Sequence, residues 1–161
     1  RQEALATPGV KHIDFEKLTD PRMEQLRSLV REVESVKVAF PLGKDTPEPR
    51  DAQKLEKAVE RLAELEKLAR EMGISVQLTI YGHADTTGDD QRNYEISQAR
   101  ARTVAAMLYG KGSSLPVNLY GMGAEYAKQG VSSPFGDQDS RRIELRVHLA
   151  RMTSATPEDL R

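Results

Sequence analysis

Two repeating patterns take turns along this chain, and their succession restricts the folds open to it. Between residues 50 and 72, Leu55, Ala58, Val59, Leu62, Leu65, Ala69 and Met72 recur at the spacing of one helical face. Lys54, Glu56, Lys57, Glu60, Arg61, Glu64, Lys67, Arg70 and Glu71 take the opposite face, so this is a solvated amphipathic helix, stopped by Gly73. The period then drops to two: Val76, Leu78 and Ile80 alternate with Gln77, Thr79 and Tyr81, the mark of a half-buried strand. The same alternation runs through residues 35–40, around Val117 and Leu119, and most clearly through Ile143, Leu145, Val147 and Leu149. A second helix is predicted over 94–110, ending at Gly110, and an earlier one over 21–34, opened by Asp20 as cap and Pro21 at the first turn. The order β-α-β-α-β-loop-β predicts an α/β (α+β) sandwich: a mixed four-stranded sheet with helices on one face and a more polar opposite face.

At 161 residues the chain is expected to hold one domain with an extension. Residues 1–34 form the extension, 35–150 the domain and 151–161 a polar tail; Val10, Ile13, Phe15 and Leu18 offer one short strand or a loose packing on the domain, and 124–140 a long polar loop. Cysteine is absent, which excludes a disulfide framework, a thiolate nucleophile and a thiolate metal site. Twenty-four basic against twenty-five acidic residues give no overall electrostatic grip on nucleic acid or anionic lipid. No apolar run approaches the ~20 residues needed to span a bilayer. The chain opens on Arg1 without a leader, so it is expected to be part of something longer, with any export signal or anchor upstream.

Arg100 breaks the pattern of its helix. At 100° per residue, Ile96, Val104, Met107 and Leu108 fill an arc of about 120°, and Arg100 falls inside it. A guanidinium on the inward stripe needs a counter-charge or several acceptors, because desolvating it alone costs several kcal/mol. The loop leading into the helix supplies Asp85, at the C-terminal end of a strand, where ligands gather in such sheets. Asp85 and Arg100 have two possible fates. They form an internal salt bridge, or they stay open as an acid–base pair that takes the ammonium and carboxylate of a zwitterion.

The run Ile80-Tyr81-Gly82-His83-Ala84-Asp85-Thr86-Thr87-Gly88, followed by Asn93, Ile96-Ser97, Arg100-Ala101 and Val104, resembles the OmpA-like peptidoglycan-binding domain family. Gly121-Met122-Gly123 and Ser140-Arg141-Arg142-Ile143-Glu144 continue the resemblance, which covers residues 35–150. It implies that Asp85 and Arg100 clasp the free amino and carboxylate groups of diaminopimelate in the peptidoglycan stem peptide. Ala84 and Thr86 flank that contact, Asn93 orders the loop or reaches the ligand, and Arg142 begins the outward face; Arg141 adds a contact near the pocket, or the pair is simple surface charge. Three positions depart from the family pattern. Ala84 stands where the family has Thr, Ile96 replaces Leu, and Phe40-Pro41-Leu42-Gly43 replaces Phe-x-Phe-Asp, so that Gly43 removes one acceptor.

Other chemistries fit poorly. His83 with Asp85, Asp89 and Asp90 lacks a second nearby histidine for a metal, and Gly121-Met122-Gly123 lacks the third glycine of a dinucleotide site. No nucleophile–histidine–acid arrangement has a supporting context, and a chain without tryptophan is a poor base-stacking platform. The expectation is therefore a non-catalytic module without cofactor or metal. It would bind peptidoglycan in the periplasm and tether a larger envelope protein, whose upstream part is a membrane anchor or a barrel. A homodimer is compatible with this, and a scaffolding domain that keeps the fold without the ligand is the alternative.

Overall fold

The computed structural model describes residues 20–128 and 140–151. The strand expected around Val10–Leu18, most of the polar loop and the tail beyond Arg151 lie outside the described residues. In chain order the elements are α1 (Pro21–Glu34), β1 (Val38–Ala39), α2 (Pro49–Glu71), β2 (Ile74–Gly82), α3 (Asp90–Gly110), β3 (Val117–Gly121), α4 (Glu125–Lys128) and β4 (Arg142–Arg151).

Each helix starts where its first-turn chemistry allows. The Asp20 carboxylate accepts from the Arg22 amide at 2.8 Å and Pro21 opens α1. Asp89 does the same for α3, accepting from the Arg92 amide at 2.7 Å, so that helix begins four residues before the expected Tyr94. Residues 90–93 carry no apolar periodicity, which is why only the cap announces them. In α2 the third proline of the preceding loop, Pro49, is itself the first helical residue.

The sheet has strand order β1-β4-β2-β3, with β2 and β3 parallel and the other pairs antiparallel. Its inner face presents Leu78, Ile80, Ile143 and Leu145 to α2 and α3, and the core also takes Leu55, Leu62 and Leu65 of α2 and Val104 and Leu108 of α3. Helix α1 adds Met23, Leu26, Leu29 and Val33 to the same core, so the predicted extension contributes a packed helix. Its last residue completes the sheet edge: Glu34 Oε2 accepts from the Val147 amide at 2.9 Å, where two-residue β1 has already ended. The outer face carries Thr79, Tyr81, Tyr120, Glu144 and Arg146, with the Tyr81 and Tyr120 rings stacked 5.6 Å apart.

The position of α3 over the C-terminal ends of β2 and β3 places the site. Gly82 allows it: a Cβ there would overlap the Ser97 carbonyl oxygen. One turn of α3 thus sits directly on the strand backbone. Ser97 Oγ accepts from the Gly123 amide at 2.8 Å and donates to the Tyr94 carbonyl, locking the end of β3 to the same turn.

Candidate functional site

Arg100 is 1% exposed, the largest fully buried side chain among the described residues. Its guanidinium is held by main-chain carbonyls: Nε donates to Lys44 at 2.9 Å, Nη1 to His83 at 2.9 Å and Nη2 to Pro41 at 3.3 Å. Its carbon lies 5.2 Å from the centre of the Phe40 ring. These acceptors come from the loop after β1 and the end of β2, so Arg100 joins the two. Burial pulls its pKa down to about 10; the charges of Asp85 and Asp45 oppose that, and Arg141 adds to it. The group remains cationic at neutral pH.

Asp85 is 4% exposed and lies just beyond β2. Its Oδ1 accepts from the Thr87 amide at 3.0 Å and the Thr87 hydroxyl at 2.5 Å, an Asx-type turn that fixes the loop. Its Oδ2 accepts from Arg141 Nη1 at 3.0 Å. Burial pushes the carboxyl upward, but the hydrogen bonds from Thr87 and Arg141 more than reverse this and hold it below its ordinary value. Arg141 is fixed in turn, since its Nε donates to the Phe40 carbonyl at 3.1 Å.

Asp85 and Arg100, predicted to face each other, sense each other's charge but form no ion pair within 4.0 Å. The carboxylate's direct partner is Arg141, from the far end of the chain. The other expected residues fall around this pair. Ala84 is buried and its amide donates to the Gly123 carbonyl at 2.9 Å. Asn93 is buried, with Nδ2 3.5 Å from the Gly88 carbonyl. Thr86 is exposed at the surface of the loop. Gly43 has φ +70, a left-handed conformation that an acidic side chain would strain.

Sequence reasoning passed over Thr87, whose adjacency to Thr86 disguised it, and over Phe40 and the three carbonyls. It also passed over a second charged cluster on the outer sheet face. There Glu144 Oε1 lies 2.8 Å from His83 Nε2 and 3.0 Å from Arg142 Nη2, while Oε2 lies 2.6 Å from Arg146 Nη2. His83 is 3% exposed; burial, with help from Arg142, lowers its pKa to about 4, so it is neutral at pH 7 where its Nε2 meets Glu144. Because the His83 carbonyl holds Arg100, one residue touches both clusters.

A mixed sheet with helices on one face, and a buried carboxylate and guanidinium gathered at the ends of its central strands, define a small α/β domain. The chain belongs to the OmpA family, whose sequence model matches residues 43–142. It is similar in fold to the peptidoglycan-associated lipoprotein from Burkholderia pseudomallei, with a TM-score of 0.59 and 17% identity over 73% of this chain and 93% of that one. The C-terminal domain of Helicobacter pylori MotB gives 0.56 and 17% over 76% and 87%. An outer membrane protein from Borrelia burgdorferi gives 0.50 and 18% over 68% and 82%. No curated protein matches the sequence.

Proposed function

We propose that this domain binds cell-wall peptidoglycan non-covalently, through the diaminopimelate of the stem peptide, and so tethers a larger envelope protein to the wall. In this reading Asp85 takes the ligand's ammonium and Arg100 its carboxylate, with Arg141 turning from Asp85 to the same carboxylate. Asn93, Ala84 and Thr86 shape the loop that carries Asp85. The observation that carries the reading is a buried carboxylate and a buried guanidinium that feel each other and yet remain unbridged. Three of the five guanidinium N–H groups of Arg100 donate to carbonyls of described residues, which leaves two for a carboxylate. The resemblances to a peptidoglycan-associated lipoprotein and to an outer membrane protein support a periplasmic setting with a membrane anchor or barrel upstream.

The module has no catalytic role here; its work is retention. Each charged hydrogen bond to the ligand contributes about 1.5–3 kcal/mol, less the cost of ordering, so one site binds with roughly micromolar to millimolar affinity. A polymer that repeats the ligand, and a membrane nearby, convert this into firm attachment. Lysine in place of diaminopimelate lacks the second carboxylate and leaves Arg100 unmatched.

The test is retention on purified sacculi. Wild type co-sediments, while Asp85→Asn and Arg141→Gln are released at lower salt; equal retention of all three contradicts the proposal. A second reading, an interaction domain that keeps the fold without this ligand, is favoured by one observation: both Asp85 oxygens are already engaged. It expects no Asp85-dependent retention.

A further inference from the structure

We propose that the hollow beside Arg100, between α3 and the loop after β1, seats the stem-peptide residue that follows the clasped one: a small apolar residue ending in a carboxylate. This rests on the peptidoglycan reading above. The floor of the hollow is an anomaly of α3. Ile96 lies on the inward stripe one turn before Arg100, yet it is only half-buried and takes no place in the core. Left-handed Gly43 bends the loop so that the Lys44 carbonyl reaches Arg100 Nε, and the space left beneath it, about 290 Å³, is floored by Ile96 and Ala99.

The rim carries two cations, Lys44 and Arg92, and two acids, Asp45 and Glu95. The acids keep their charge, and each accepts from a neutral donor and not from the two cations. Glu95 accepts from Gln91 Nε2 at 3.0 Å, and Asp45 accepts from the Thr46 hydroxyl at 3.4 Å while its charge acts on Arg100. Among the described residues, neither the Lys44 ammonium nor the Arg92 guanidinium donates to any acceptor. An uncovered apolar floor under two uncommitted cations matches a methyl side chain with a carboxylate beside it. Lys44, whose carbonyl bonds Arg100, and Ala99, the residue before Arg100, both line the hollow, so it adjoins the Arg100 clasp.

Isothermal titration of the intact chain decides the matter with three probes. These are the alanyl-glutamyl-diaminopimelate tripeptide, the tetrapeptide that adds a terminal alanine, and that tetrapeptide as its carboxamide. The tetrapeptide is expected to bind roughly fivefold to tenfold more tightly than the tripeptide, the scale of one solvent-exposed ion pair with a methyl contact. The carboxamide loses most of that gain. Ala99→Leu, which fills the floor, and Arg92→Gln, which removes a cation, each bring the tetrapeptide down toward the tripeptide. Equal affinity for tripeptide and tetrapeptide overturns the inference alone, as does a full tetrapeptide gain in both variants. A tripeptide that does not bind at all overturns the peptidoglycan reading and the inference with it.

Discussion

The two charged clusters at the end of β2 are built from similar parts and arranged for different ends. On the outer face Glu144 is ringed by Arg142, Arg146 and neutral His83, each within 3.0 Å, so that both carboxylate oxygens are met by a guanidinium. On the inner side Asp85 has Arg141, but Arg100 stands apart, satisfied by carbonyls instead of by a carboxylate. A cluster paired in this way spends its charge on holding strands together. A guanidinium hydrogen-bonded to carbonyls keeps its charge, because carbonyls compensate desolvation without cancelling the positive field; in the proposed reading that charge serves the ligand.

If that contrast is right, disturbing the packing at Gly82, the residue that leads into the shared His83, should have the largest effect. Gly82→Ala drives a methyl into the α3 backbone and should lower the free energy of unfolding by about 3 kcal/mol or more, read by denaturant titration. It should damage both clusters together.

Next in size is the pH response of the outer cluster. His83 titrates near 4 when folded and near 6.5 when unfolded, so between these values the unfolded chain binds more protons. Stability therefore falls as pH drops from 6.5 toward 4, by on the order of 3 kcal/mol. Asp85 and Glu144 titrate below their ordinary values and add their own loss only further into acid. Unfolding curves at pH 7, 6 and 5 should show this slope, and His83→Gln should flatten it. A slope unchanged in the variant assigns the effect elsewhere. The inner cluster behaves differently: with Asp85 ionised and Arg100 cationic across this range, wall binding should stay level from pH 7 to 5 wherever the fold survives.

The smallest effect sharpens the contrast from the other side. Arg146 is 44% exposed in its pair with Glu144, so Arg146→Ala should change stability by less than about 1 kcal/mol and leave retention on sacculi at the wild-type level. A large loss of retention would mean that the outer face also meets the wall.

Much of this was legible in the chain. Periods of two and 3.6 gave the element order, and β2 and β4 ran only a residue or two beyond their apolar alternation because each is the other's partner along nine residue pairs. The first strand was read too long, over 35–40, since alternation reports a buried face and not how much partner is present. Only Val38 and Ala39 find one, at Ile143 and Arg142. The four-residue helix at Glu125–Lys128 falls in a segment that reads as polar loop, too short to show a period. In the site, the burial of Arg100 could be deduced from its place on the wheel, but its acceptors could not. Carbonyls belong to every residue and leave no trace in side-chain type. The Asp85–Arg141 contact spans 56 residues and depends on β4 running back beside β2, a matter of topology.

The account is most directly tested by calorimetry with a diaminopimelate-containing muropeptide against wild type, Asp85→Asn and Glu144→Gln, each first shown to be folded by its unfolding curve. The expected result is saturable binding by wild type, at least a tenfold weakening in Asp85→Asn, and wild-type affinity in Glu144→Gln, whose loss should appear only in stability. Binding that survives loss of the Asp85 charge, or that fails equally in both variants, would contradict the division of labour between the two clusters.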